Sequence, residues 1–154
     1  MEFGFSFVGL VFLLMLFVPN IIWSRFQPED YDVFSKNENR ILLFLERLGQ
    51  VLVTCFALLT NIKFSWSLIL AIAFILMILY EIYWIKYFKS GHTMKDMHDN
   101  FLGIPLPGAT LPVFAFLILG IYANNVLLVI SAIILGIGHI GIHYNHKKQI
   151  LIFF

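Results

Sequence analysis

Residues 65–89 read SWSLILAIAFILMILYEIYWIKYFK. From 65 to 85 there is one acidic side chain, Glu81, and no basic one; Lys86 and Lys89 follow immediately. An apolar run of about 20 residues, at roughly 1.5 Å rise each, matches the thickness of a bilayer's hydrocarbon core. Trp66 stands at one boundary of the run, and Tyr80, Tyr83, Trp84 and Tyr87 crowd the other. Aromatic rings concentrate at the headgroup level in this way. Four further apolar stretches are found on either side, at 5–23, 41–61, 109–122 and 125–143.

Five spans place the basic residues almost entirely on one side. Arg25, Lys36, Arg40, Lys86, Lys89, Lys95, Lys147 and Lys148 fall after the first and third stretches or in the C-terminal tail, and Lys63 alone falls opposite. Lysine and arginine in short loops stay cytoplasmic, so the N-terminus is expected outside and the C-terminus inside. Fusing 109–143 into one helix would bury Asn124-Asn125 in lipid and destroy this asymmetry; the pair reads as a tight turn. The first stretch opens Met1-Glu2-Phe3, without the positive start of a cleavable signal, and is expected to be retained.

Composition agrees. Of 154 residues, 60% are hydrophobic and 12% charged, about half the charged share of soluble domains. Mean hydropathy is +0.90. The expected fold is an all-α integral membrane protein, a bundle of five transmembrane helices forming a single domain over 1–154. The expected location is a bacterial-type plasma membrane, with the lipid bilayer as the principal partner. A net charge of +1 and the absence of a long basic stretch argue against nucleic acid. The lone Cys55 excludes an internal disulfide.

Local signals refine the boundaries. Pro19-Asn20 closes the first helix, with Trp23 as its anchor. Ser35-Lys36-Asn37-Glu38 has capping-box spacing and predicts that helix two starts near residue 36. Pro105, Pro107 and Pro112 forbid a regular helix before Thr110 or Pro112, leaving helix four short and its start interrupted. Such irregular backbone must be covered by protein or face a wet cavity.

The candidate chemistry gathers on the inner side. Ionisable residues inside spans are costly and tend to face a bundle interior. Glu46 and Gln50 share one face of helix two, while Arg47 points elsewhere and needs its own partner, either Glu81 or an anionic phosphate. On helix five, Ala132, Gly136, His139, His143 and His146 recur at four and three. His139 and His143, four apart, can face one metal, with Glu81, Glu46 or His146 as a third ligand. His146, beside two lysines, reads as solvated, and so do His92 and His98 in their polar loop. The plain alternative for the whole histidine run is interfacial polar groups. Small residues at Ala132 and Gly136 would admit a partner helix.

These readings give a polar pocket in the cytoplasmic leaflet. It would bind a divalent metal, a haem, or an anionic, lipid-linked small molecule. In an enzymatic version Glu46, Glu81, His139 and His143 are the catalytic candidates, and Arg47, Gln50 and Thr110 bind ligand. Two rival readings are a small transporter using the interrupted start of helix four and a non-catalytic assembly subunit.

Overall fold

The computed structural model describes residues 2–153, with side chains through Ile152. Seven helices follow one another: α1 Phe7–Trp23, α2 Tyr31–Ser35, α3 Arg40–Leu58, α4 Leu68–Phe88, α5 Met94–His98, α6 Pro107–Tyr122 and α7 Val126–Phe153. No strand occurs among the described residues. Three helices, α3, α4 and α7, are long and apolar enough to cross a membrane; α1 and α6 are shorter apolar helices.

Side chains at the helix starts hold the orphan amides. Ser6 accepts from the Gly9 amide at 2.9 Å, Ser67 from Leu70 at 3.1 Å, and Asn125 from Leu128 at 3.1 Å. At α3 the cap is Asn39, whose Oδ1 accepts from Ile41 at 2.8 Å. The helix therefore begins at Arg40, not near residue 36. Ser35 closes the short α2, where its hydroxyl donates to the Asp32 carbonyl. Helix α1 passes through Pro19 to Trp23, and the Asn20 amide donates to the Leu16 carbonyl at 2.6 Å. Helix α6 also starts earlier than expected, because Pro107 occupies its first turn, where a missing N–H costs nothing. Leu106 turns the chain into it with φ +50°. Asn124, at φ +49°, makes the α6–α7 turn. Beyond residue 143, α7 continues through Lys147-Lys148, and Ile150 packs with Phe34 and Met94.

The most extensive packing joins α3 and α7, antiparallel. Two glycines set their separation. A Cβ on Gly138 would lie 2.3 Å from the Glu46 amide nitrogen, and one on Gly49 would lie 2.5 Å from the Leu135 backbone. Further along, Asn125 donates to Thr60 Oγ1 at 2.9 Å, and at the far end His146 Nε2 stands 3.2 Å from Glu38 Oε1. Helix α6 covers the other side of α7. Ala132 is fully buried, and Val113 Cγ1 lies 2.9 Å from where a Gly136 Cβ would stand, so α6 of this same chain fills the small-residue face. Helix α4 packs on α6, and α1 on α3 and α4.

The centre is apolar: Ala57, Ala73, Met77, Ala115, Phe116, Leu119 and Leu128 are fully enclosed. Large apolar side chains also cover the outside, among them Ile41, Phe44, Ile75, Ile85, Ile130 and Ile137. An exterior of this kind suits lipid rather than water as the surrounding medium.

Polar groups collect at the two ends of the bundle. At one end Lys63 pairs with Glu2 at 3.2 Å, and Tyr122 donates to the Lys63 carbonyl at 2.8 Å. At the other, Tyr87 donates to the Phe26 carbonyl at 2.7 Å, Lys86 pairs with Asp99 at 3.2 Å, and Lys147 donates to Asn100 at 2.7 Å. The loops and tail carrying Arg25, Lys36, Lys89, Lys95 and Lys148 belong to this second, basic end.

Candidate functional site

A cavity of about 200 Å³ opens at the basic end. Helix α1 contributes Asn20 and Trp23, and α2 contributes Tyr31. Glu46, Arg47 and Gln50 come from α3, and Tyr83 and Trp84 from α4. Met97 of α5, Gly108 of α6, and His139 and His143 of α7 complete the wall. Seven helices, with residues between 20 and 143, thus meet around one polar space.

One short contact in it joins α3 to α7: His139 Nδ1 lies 2.5 Å from Glu46 Oε1. Both side chains are largely enclosed, 22% and 13% exposed. The contact exists because Gly138 lets α7 touch the α3 backbone at Glu46, one residue from the histidine. A carboxylate on one ring nitrogen fixes the tautomer and orients the other nitrogen as a proton acceptor. This arrangement can take a proton from, or return one to, a group bound in the cavity.

Three other polar side chains in the wall form neither an ion pair nor a hydrogen bond. Among the described residues Arg47 forms no ion pair, and neither the Gln50 side chain nor the Tyr31 hydroxyl makes a hydrogen bond. Burial, reinforced by the carboxylates of Glu38 and Glu46, pushes the Tyr31 phenol up to about 12, so it stays a neutral donor. Asn20 uses its amide nitrogen on Leu16 and Tyr80, while Tyr83 donates to the Met97 carbonyl at 2.5 Å. Gly108 packs against the Tyr83 ring, which brings the first turn of α6 to the cavity edge.

Behind His143 lies a second cluster. Among the described residues, one group of three possible metal-binding side chains has its ligand atoms within 4.8 Å of one another: His98, His143 and His146. His98 and His146 are 3% and 2% exposed, so neither is the solvated residue that its loop or lysine neighbours suggest. His98 Nδ1 donates to the Met94 carbonyl at 2.9 Å, and its Nε2 lies 3.2 Å from His143 Nδ1. Burial pushes the His98 imidazole down to about 4, against the opposing pull of the Met94 carbonyl, so the ring is neutral near pH 7. Burial and the nearby Glu46 charge push the Glu38 carboxyl upward, beside His146.

The structure thus brings Glu46, Arg47, Gln50, His139 and His143 to one cavity. Glu81 does not line it; one of its carboxylate oxygens is buried without a hydrogen-bond partner. Among the described residues His139, His143 and Glu81 do not form a three-ligand group: the His139 ring stands 4.6 Å from His143 but turns its Nδ1 to Glu46, while His143 Nδ1 faces His98. Thr110 donates to the carbonyls of Pro105 and Leu106, both at 3.0 Å, and closes the turn before α6. Asn20, Tyr31 and Glu38 are residues that sequence reasoning missed, and His98, weighed as part of a metal loop, reads there as solvated. The first three lie at helix edges with no periodic signal. His98 sits in a polar loop whose five-residue helix, capped by Thr93 and Asp96, turns it inward.

No family model, curated protein or solved structure matches the chain.

Proposed function

We propose that this is a five-span protein of a bacterial-type plasma membrane whose cytoplasmic-leaflet cavity binds an anionic, phosphate-bearing group. In this reading α1 and α6 join α3, α4 and α7 as spans. The basic end lies in the cytoplasm, where Lys and Arg of short loops are retained. The short α1 and α6 are accommodated by bilayer thinning and by the aromatic residues flanking them.

The single observation carrying the ligand assignment is the set of unpaired polar groups around Arg47 in an otherwise apolar bundle. Arg47 is exposed on α3; the charges of Glu38 and Glu46 reach it, yet neither carboxylate pairs with it directly, and a cation in a membrane-spanning helix is costly unless an anion completes it. Its planar fork suits phosphate. Gln50 and Tyr31 supply neutral donors, and Glu46–His139 stands opposite as an acid–base pair. The arrangement supports proton transfer to a bound headgroup or its leaving oxygen, which keeps an enzymatic role within this proposal. The transport reading gains no support: Met77, Phe116, Leu119 and Leu128 fill the core between the bundle's two ends.

Native mass spectrometry of the purified protein tests the assignment, using anionic phosphatidylglycerol against zwitterionic phosphatidylcholine as probes. The wild type should retain the anionic lipid preferentially, and Arg47→Gln should weaken that preference about tenfold, as expected for loss of a charged hydrogen-bond donor worth roughly 1.5 kcal/mol. Equal retention by wild type and variant would remove Arg47 as the anion's partner.

A further inference from the structure

We infer that His98, His143 and His146 bind one divalent transition-metal ion of the zinc class, tying α5 to the end of α7. The site lies behind the cavity wall and does not depend on what the cavity holds.

The spacing is that of ligands around a common centre. Zinc–nitrogen bonds of about 2.0–2.1 Å in tetrahedral geometry put two ligand nitrogens roughly 3.3 Å apart. His98 Nε2 and His143 Nδ1 are 3.2 Å apart, and a nitrogen of His146 completes a set within 4.8 Å. Ring centroids of His98 stand 5.2 Å from His143 and 5.7 Å from His146, and the two α7 rings stand 6.1 Å apart. His143 and His146, three apart in one helix, share a face.

The orientation of the rings is also that of ligands. A metal-binding histidine usually donates its second ring nitrogen to a carbonyl or carboxylate, which fixes the tautomer. His98 does so through Nδ1 to the Met94 carbonyl, leaving the Nε2 lone pair toward His143. The α5 helix that presents it is held by a complete capping box, with Thr93 and Asp96 bonding each other's backbone. His146 is 2% exposed; the Phe34 backbone lies within hydrogen-bonding reach of its ring, and its nitrogens form no other directed hydrogen bond. Its Nε2 lies 3.2 Å from Glu38, whose side chain is 12% exposed. An enclosed cluster of imidazoles with so few hydrogen bonds is uncommon and calls for a reason. A cation held by three neutral imidazoles supplies one and gives the buried Glu38 carboxylate a compensating charge. Nitrogen-rich sites of this kind favour zinc and its neighbours over magnesium or calcium, which take oxygen. Glu38 is then a positioning residue for His146.

The test uses the full chain purified in mild detergent, stripped with a chelator and titrated with Zn2+ against a competing dye. A parallel titration with Co2+ reads the ligand-field absorption of a tetrahedral, nitrogen-rich site. One ion per chain is expected. His98→Ala and His146→Ala should each abolish the Co2+ spectrum, and Glu38→Gln should weaken Zn2+ roughly 10–100-fold, the usual effect of removing an outer-shell partner. His92→Ala, in the same loop but outside the cluster, should bind as wild type does. A wild-type protein that takes up no stoichiometric Zn2+ would overturn the site without any variant. So would stoichiometric binding that survives His98→Ala and His146→Ala, or an octahedral Co2+ spectrum.

Discussion

At the end of the bundle holding Glu2 and Lys63, polar groups meet one another. Asn125 bonds Thr60, Tyr122 bridges the 63–65 backbone, and Lys63 pairs with Glu2 on the surface. At the basic end, Arg47 forms no ion pair and the Gln50 side chain no hydrogen bond, two buried imidazoles lean on a third, and Glu46 crosses between helices to His139. The first end shows what satisfied polar groups do in such a bundle: they cap helices and join loops. The second keeps donors and acceptors in reserve around an internal space, at a cost that a purely structural end avoids. The proposed function rests on this contrast.

Damage to the α3–α7 contact should erase the contrast. Gly138→Ala puts a methyl group 2.3 Å from the Glu46 amide, against backbone that cannot move aside cheaply. It should cost about 3 kcal/mol, at the upper end of typical overpacking penalties, and drive Glu46 away from His139. A large fall in thermal midpoint in detergent, together with loss of lipid retention, would bear this out. A fully stable Gly138→Ala protein would mean that the two helices do not touch there.

The opposite end offers the smaller and cleaner change. Asn125→Ala removes the α7 cap and the bond to Thr60. It should cost about 1–2 kcal/mol, as lost caps and buried hydrogen bonds do. Lipid and metal binding by the folded variant should be unchanged. A folded Asn125→Ala protein with altered binding would show that the two ends are coupled and would blur the distinction drawn here.

Much of this was legible in the sequence because apolar runs are local. Every long helix overlaps an apolar stretch, and the Asn124-Asn125 turn follows from two polar residues between such runs. Boundaries depending on competing caps were less legible. The Ser35–Glu38 spacing resembles a capping box, yet Asn39 has the better position and takes the amides of Ile41 and Leu42. The end of α7 was hidden by Lys147-Lys148, which read as a tail; nothing after Gly141 breaks the helix, and Ile150 still finds apolar neighbours. Within the site, the run from His139 to His146 and the pair Glu46 and Gln50 carried a helical period. Their partners did not. That His139 meets Glu46, while His143 meets His98 from a loop, depends on a register set by Gly49 and Gly138, whose role no local pattern announces.

The direction of the bundle in the membrane underlies the assignment of the basic end to the cytoplasm. Single cysteines at Lys63→Cys and Lys95→Cys, in a Cys55→Ser background, can be challenged with a membrane-impermeant maleimide on intact cells. The account predicts labelling at 63 without treatment and at 95 only after the membrane is opened. Labelling at 95 in intact cells, with 63 protected, would contradict it.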